Sequence, residues 1–168
     1  LMIFFGDPET KGAKEDAAAC CNMAMEMLAF LESNQQHFQE TYNFPEKLEV
    51  RVGIHNGLCN VGNFGSAQRL DYTAIGRAVN VASRLEQAAP KNSILVSSTV
   101  RNLIKNKFET SSPIDVKAKG IDKPIASYVL TKKTAEDKKV RKEIDGLKVE
   151  YDPQKIDRET LLKFIEEL

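Results

Sequence analysis

The sequence predicts an α+β fold, with helices packed on a largely antiparallel sheet. Two long segments, residues 15–40 and 77–89, repeat their apolar residues at helical spacing. Between and after them run short alternating or apolar segments bounded by Gly, Pro, Asn and Asp, the pattern of strands joined by turns. The order of these segments, with antiparallel hairpins and two long helices, argues for this layered arrangement.

Taken in order, residues 1–5 (LMIFF) predict a buried strand closed by a turn at Gly6, Asp7 and Pro8. Residues 15–40 predict a helix whose stripe is Ala17, Cys20, Cys21, Ala24, Met27, Leu28 and Leu31. Residues 43–45 break it. Leu48, Val50, Val52 and Ile54 alternate as a half-buried strand ending near Gly57, and residues 58–64 are expected to be its hairpin partner. Residues 68–73 form a short strand or loop that feeds the central helix at 77–89, which Pro90 stops. That helix buries Val81, Leu85 and Ala88. A strand at 94–96 follows, then a helix at 99–105 capped by Ser97 or Ser98. Residues 108–119 and 125–130 predict two more strands joined near residues 122–124.

Composition shifts after Leu130, so residues 1–132 are expected to form the main domain and 133–168 a charged linker with a helical tail. Residues 132–148 are rich in Lys, Glu and Asp. Residues 157–168 (DRETLLKFIEEL) carry a capping Asp157 and an apolar face of Leu161, Leu162, Ile165 and Leu168.

Bulk properties narrow the function. Lys plus Arg equal Asp plus Glu at 24 each, so no global basic field favours nucleic acid or an anionic membrane. No apolar run reaches membrane-spanning length, and no direct membrane insertion is expected. The three cysteines, Cys20, Cys21 and Cys59, lack metal-ligand spacing and suit a reducing, cytoplasmic compartment. Gly62 and Gly65 are not a phosphate loop, because no Lys-Ser/Thr pair follows them.

The chemistry concentrates in residues 71–86, DYTAIGRAVNVASRLE. Asn80 and Arg84 stand four apart and so share one helix face, beside the apolar stripe, with Arg77 and Gln87 extending the row. A helix that opens at a glycine turn with this edge can offer an amide and a guanidinium fork to a phosphate. Spacing alone more often describes the solvated face of an ordinary surface helix.

The string itself resembles the nucleotide-site segment of class III adenylate and guanylate cyclases. VRVGIHNGLCNVGNFG (50–65), LMIFFGDP (1–8) and VKAKGIDKPIASY (116–128) are similar to three further family segments, in family order, over residues 1–132. The resemblance implies a ferredoxin-like palm, incomplete at its N-terminus, and conversion of ATP to cyclic AMP and pyrophosphate at a homodimer interface. By position in the motif, Asn80 resembles the residue that orients the ribose and Arg84 the one that stabilises charge on the phosphates. Thr73 matches the purine-reading position, where a bacterial subgroup of adenylate cyclases has Thr. Lys119, or else Lys117, falls where the family places a triphosphate-contacting lysine.

Two aspartates that hold two Mg or Mn ions in the family have no counterpart among these residues, so no metal ligand is assigned in this chain. The intact parent is expected to bind the ions, and the fragment to be inactive alone. Asp7 is read as a turn residue. His55 is read as a structural hydrogen-bonding residue, and Arg51 and Arg69 as structural or dimer-contact residues. Core packing is the default for Phe64 and Tyr72, with a place near the base or at a subunit seam as the alternative. The rival reading is a non-enzymatic pseudo-cyclase that serves as a dimerization or regulatory module. An RNA-binding domain would need exposed sheet aromatics and a basic face, which the sequence does not show.

Overall fold

A computed structural model of the chain describes residues 1–66, 68–116, 124–133, 140–144 and 147–151, together with Thr160 and Lys163. The chain divides into two compact units, Leu1–Lys132 and Lys133–Leu168.

The first unit opens with α1 (Ala13–Ser33) and α2 (Gln35–Tyr42). The predicted single helix is thus two. Asn34 interrupts it: its side-chain amide donates to the Phe30 carbonyl at 2.8 Å, competing with the helix's own ladder. On α1 the residues buried are Ala17, Ala18, Cys21 and Ala24, whereas Met27 is exposed. These small residues let α1 lie close to the sheet, and burial pushes the Cys20 and Cys21 thiols up to about 11 and about 12.

Strand β1 (Arg51–Ile54) is followed by β2 (Asn60–Ser66), β3 (Arg69–Ile75), α3 (Arg77–Ala88), β4 (Ser93–Ser97) and α4 (Ser98–Ile104). Then come β5 (Phe108–Thr110), β6 (Ile114–Val116) and β7 (Ile125–Lys133). The main sheet has five strands in the order β1-β4-β7-β5, with β6 also on β7. Strands β1 and β4 run parallel, Arg51 opposite Ser93 and Ile54 opposite Val96. A parallel pair needs a crossover, and α3 supplies it. Strands β4 and β6 each pair with β7 antiparallel. The class is α+β with a mixed sheet.

Successive residues of β4 face opposite sides of this sheet. Ile94 and Val96 join Ala17, Cys21, Ala24, Val100, Ile104 and Phe108 in one core cluster. Leu95 joins Val81, Leu85, Ala89 and Val116 in the other. Helices α1 and α4 therefore cover one face, and α3 covers the opposite one.

Four further expectations are corrected. Residues 1–5 form no strand, and Leu1, Met2, Ile3 and Phe5 are exposed; an apolar run becomes a strand only where a neighbouring backbone completes its ladder, and among the described residues none does. Strand β2 pairs antiparallel with β3, from Asn60–Ile75 to Ser66–Arg69, not with β1, whose described partner is β4. Ala88 is exposed and Ala89 is buried in its place, because the stripe advances by four residues from Leu85. The strand expected over 108–119 is two short strands, β5 and β6, split at residues 111–113. There Ser111 exchanges backbone bonds with β7 through its own Oγ, which accepts from the Val129 N–H at 3.0 Å, and Pro113 has no N–H for a ladder.

In the second unit, β8 (Val140–Ile144) and β9 (Leu147–Tyr151) form an antiparallel hairpin inside and just beyond the stretch expected to be a linker. Its register sets Arg141 opposite Glu150 and Glu143 opposite Lys148. Opposite charges across a ladder favour pairing, so the charge that suggested a solvated linker is compatible with strands. The helix expected at 157–168 lies outside the described residues, Thr160 and Lys163 apart.

Candidate nucleotide site at the start of the third helix

Helix α3 is held against β1 at Gly53. A Cβ there would lie 2.2 Å from the Glu86 nitrogen and 2.3 Å from the Ala82 oxygen, so helix backbone rests directly on strand backbone. The helix turns Val81 and Leu85 inward, both buried. That orientation leaves Asn80 exposed and Arg84 half-buried along its edge. Arg84 Nη1 donates to Gln87 Oε1 at 3.2 Å, which steadies the guanidinium from one side. The Gln87 carbonyl accepts from Arg51 Nη1 at 3.4 Å, so Arg51 tethers the end of α3.

The helix starts at Gly76, with φ 154°. This is glycine's region of backbone space, and a Cβ would also lie 3.2 Å from the Cα of Cys59. The loop before β2 thus lies against the turn that launches α3. A surface groove of about 320 Å³ opens here, lined by Ala74, Ile75, Gly76, Val79 and Asn80.

Of the sequence-predicted site residues, Asn80 lines the groove. Thr73 stands half-buried on β3, opposite Gly62 and three residues before Gly76, and Arg84 stands one helical turn after Asn80. Neither Thr73 nor Arg84 is among the residues lining it. Lys117 and Lys119 lie outside the described residues. The walls formed by Ala74, Ile75 and Val79 are absent from the sequence reading. The available signal is an apolar residue out of phase: Val79 falls off the Val81–Leu85 stripe, and Ile75 ends its strand exposed.

Around this nucleus, Tyr72 donates its hydroxyl to the Asp7 carboxylate, and that bond holds its phenol above the usual range. Phe4 lies 6.1 Å from the Tyr72 ring, centroid to centroid. Asp7 therefore ties the turn at residues 6–8 to the hairpin. Tyr72 is a surface residue, 55% exposed, rather than a core one; it lies on β3 of the separate two-stranded β2–β3 sheet. Arg69 pairs with Asp71 at 3.3 Å on the exposed strand. His55 follows β1 directly, with Nδ1 2.9 Å from Ser97 Oγ, and burial holds its imidazole below the ordinary value.

Among the described residues, no three His, Cys, Asp or Glu side chains come together as they would around a metal ion. These residues do not fit the two ions implied by the family resemblance, and no step below runs through them.

Comparison with known proteins places these features in context. Residues 1–132 match the family described as the adenylate and guanylate cyclase catalytic domain. An adenylate cyclase of Anabaena cylindrica is 32% identical over 133 residues, 76% of this chain and 26% of that protein. The receptor-type guanylate cyclase gcy-23 of Caenorhabditis elegans is 34% identical over 143 residues, 80% of this chain and 12% of that protein. The chain thus spans about a quarter or less of these curated relatives. Among solved structures, the adenylyl cyclase CyaB of P. aeruginosa matches with a TM-score of 0.70 and 36% identity, over 85% of this chain and 67% of that one. The guanylyl cyclase Cya2 matches with a TM-score of 0.70 and 26% identity, over 77% and 64%.

Proposed function

This chain belongs to the family of adenylate and guanylate cyclase catalytic domains, and from that premise we propose that it supplies the ribose- and phosphate-binding half of an adenylate cyclase site. The observation that carries the reading is the placement of Asn80 in the groove wall with Arg84 one turn further along α3. In the reaction, the ribose 3′ oxygen attacks the α-phosphorus, its proton leaves, and the bond to the pyrophosphate oxygen breaks. Charge grows on the phosphate oxygens as it breaks. A guanidinium already oriented by Gln87 meets that charge without reorganising. The Asn80 amide offers a donor and an acceptor, enough to hold the ribose in line for attack.

Relatives of both base specificities match the chain. We assign ATP on one ground, Thr73 at the purine position; identity to relatives does not decide it, being 36% and 26% for the adenylyl and guanylyl cyclase structures but 32% and 34% for the adenylate and guanylate cyclase relatives. The intact parent would then produce cyclic AMP and pyrophosphate, with the metal-binding carboxylates supplied from outside the described residues.

The active species is proposed to be a homodimer that shares its sites between subunits. Its support is the apolar surface around β2 and β3, where Leu58 is 98%, Leu70 62% and Ile75 49% exposed. Among the described residues no helix is long and apolar enough to cross a membrane. The free thiols of Cys20, Cys21 and Cys59 suit a cytoplasmic setting.

The test is made in the active parent protein. Arg84→Ala should lower turnover about a hundredfold or more, the loss expected for one preorganised donor, with an unchanged melting temperature. Asn80→Ala should lower it less. Mixing the Arg84→Ala variant with one defective only in metal binding should restore about a quarter of wild-type activity, because half the dimers are mixed and each has one intact site. The 168 residues alone should form no cyclic AMP. Full turnover in Arg84→Ala would overturn the role given to Arg84, and a parent protein that forms no cyclic nucleotide at all would leave the dimerization module as the reading.

A further inference from the structure

We propose that His55 is a positioning residue for the nucleotide groove: its ring braces the loop of residues 56–59 against the first turn of α3. The inference rests on the reading of that groove as a nucleotide site.

The ring is gripped from the core side. Nδ1 lies 2.9 Å from the Oγ of Ser97, which is 2% exposed. Ser97 Oγ is also 2.8 Å from Thr99 Oγ1 and accepts from the Val100 N–H, capping α4. Thr99 Oγ1 in turn donates to the Asn56 carbonyl at 3.4 Å. Two links therefore run from the start of α4 to the loop, one through the His55 ring and one through Thr99.

On its other side the ring meets the loop. A Cβ placed on Gly57 would lie 3.1 Å from His55 Nε2 and 3.1 Å from the Cβ of Ala78 on α3. Gly57 is thus the spacer between the imidazole and the helix. Two residues on, Cys59 lies against Gly76 in the same way, its Cα 3.2 Å from where a Cβ would stand. Gly76, Val79 and Asn80 all line the groove. The chain of contacts runs from α4 through Ser97, His55 and Gly57 to Ala78, and from Cys59 to Gly76.

This arrangement makes His55 a support and not the proton acceptor of the reaction. One ring nitrogen is turned to Ser97, the other faces Gly57, and His55 is not among the residues lining the groove. Without the ring, the loop keeps the single 3.4 Å bond from Thr99, and the turn at Gly76 loses its backing.

The experiment follows backbone amide signals of Gly57, Cys59 and Gly76 by NMR in the 168-residue chain, and the Asn80 side-chain amide on addition of ATP. His55→Ala should shift all three backbone signals and abolish the ATP-induced change at Asn80. His55→Asn, whose side-chain amide can take the place of Nδ1 toward Ser97 but is too short to reach Gly57, should leave the Cys59 and Gly76 signals shifted. Ile104→Val, a buried change at the far end of α4, should lower the melting temperature without moving these signals. Should His55→Ala fail to fold, Ser97→Ala cuts the same link from the other side and should shift the same amides. Unshifted Cys59 and Gly76 signals in the folded variants would overturn the bracing role. Shifted backbone signals in His55→Ala with a wild-type ATP response at Asn80 would uphold the brace and overturn its service to the nucleotide groove.

Discussion

Leu85 and Leu70 occur in the same unit, yet Leu85 is 0% exposed and Leu70 is 62% exposed. The first belongs to the seam where α3 meets the main sheet, the second to the β2–β3 hairpin. Burying a leucine contributes roughly 1.5–3 kcal/mol, so the seam holds the fold, and the hairpin's apolar side chains contribute little of that within one chain. The hairpin nevertheless carries Thr73 and leads into Gly76. Stability and the candidate site are thus built by different residues on adjacent elements, and α3 joins them, one edge in the seam and the other at the groove.

The sharpest break of this comparison is within the seam. Leu85→Ala should cost about 2–5 kcal/mol in urea unfolding, through lost burial and the cavity left behind. Gly53→Ala should cost about 3 kcal/mol, because α3 cannot approach β1 past a methyl group that meets the Ala82 and Glu86 backbone. A Gly53→Ala protein with wild-type stability would mean that α3 does not rest on β1 as described.

The same chemical change on the hairpin should behave differently. Leu70→Ser and Ile75→Ser should alter unfolding by about 0.5 kcal/mol or less, as surface substitutions do. Sedimentation should show them weakening self-association instead. If either variant unfolds the unit while leaving association intact, the hairpin belongs to the core and the contrast fails.

The seam was legible in the sequence because periodicity is a statement about burial. Val81 and Leu85 recur every four residues, and the helix they predict is present almost to its ends. What was misread depends on partners distant in sequence. Alternation marks residues 48–54 as a strand but does not say that β4, about forty residues later, lies beside it, so the sequence suggests a β1–β2 hairpin where the fold has β2–β3. Residues 1–5 have strand composition without a strand's neighbour. At the site, Asn80 and Arg84 could be named from a motif, whereas the groove's apolar wall and the His55–Ser97 link needed coordinates. Local sequence suggests Ser97 as a cap; that the same oxygen also meets His55 is a contact over 42 residues of sequence.

The smallest effect expected is also the one that joins seam and hairpin, through His55. Its folded-state pKa lies below the ordinary value of 6.5 because burial disfavours the charged ring. As pH falls through about 6.5, the unfolded chain takes up a proton that the folded chain still resists. The unfolded state then binds more protons, so stability falls with pH. The contribution of neutral His55 is present above the unfolded value and is lost as pH drops through the folded one. The urea midpoint should therefore decrease between about pH 7.5 and 5.5, and the decrease should be smaller in His55→Asn, which cannot titrate there. Equal slopes in the two proteins would show that the ring is solvated like a free histidine, and the link from Ser97 to the loop would lose its buried character.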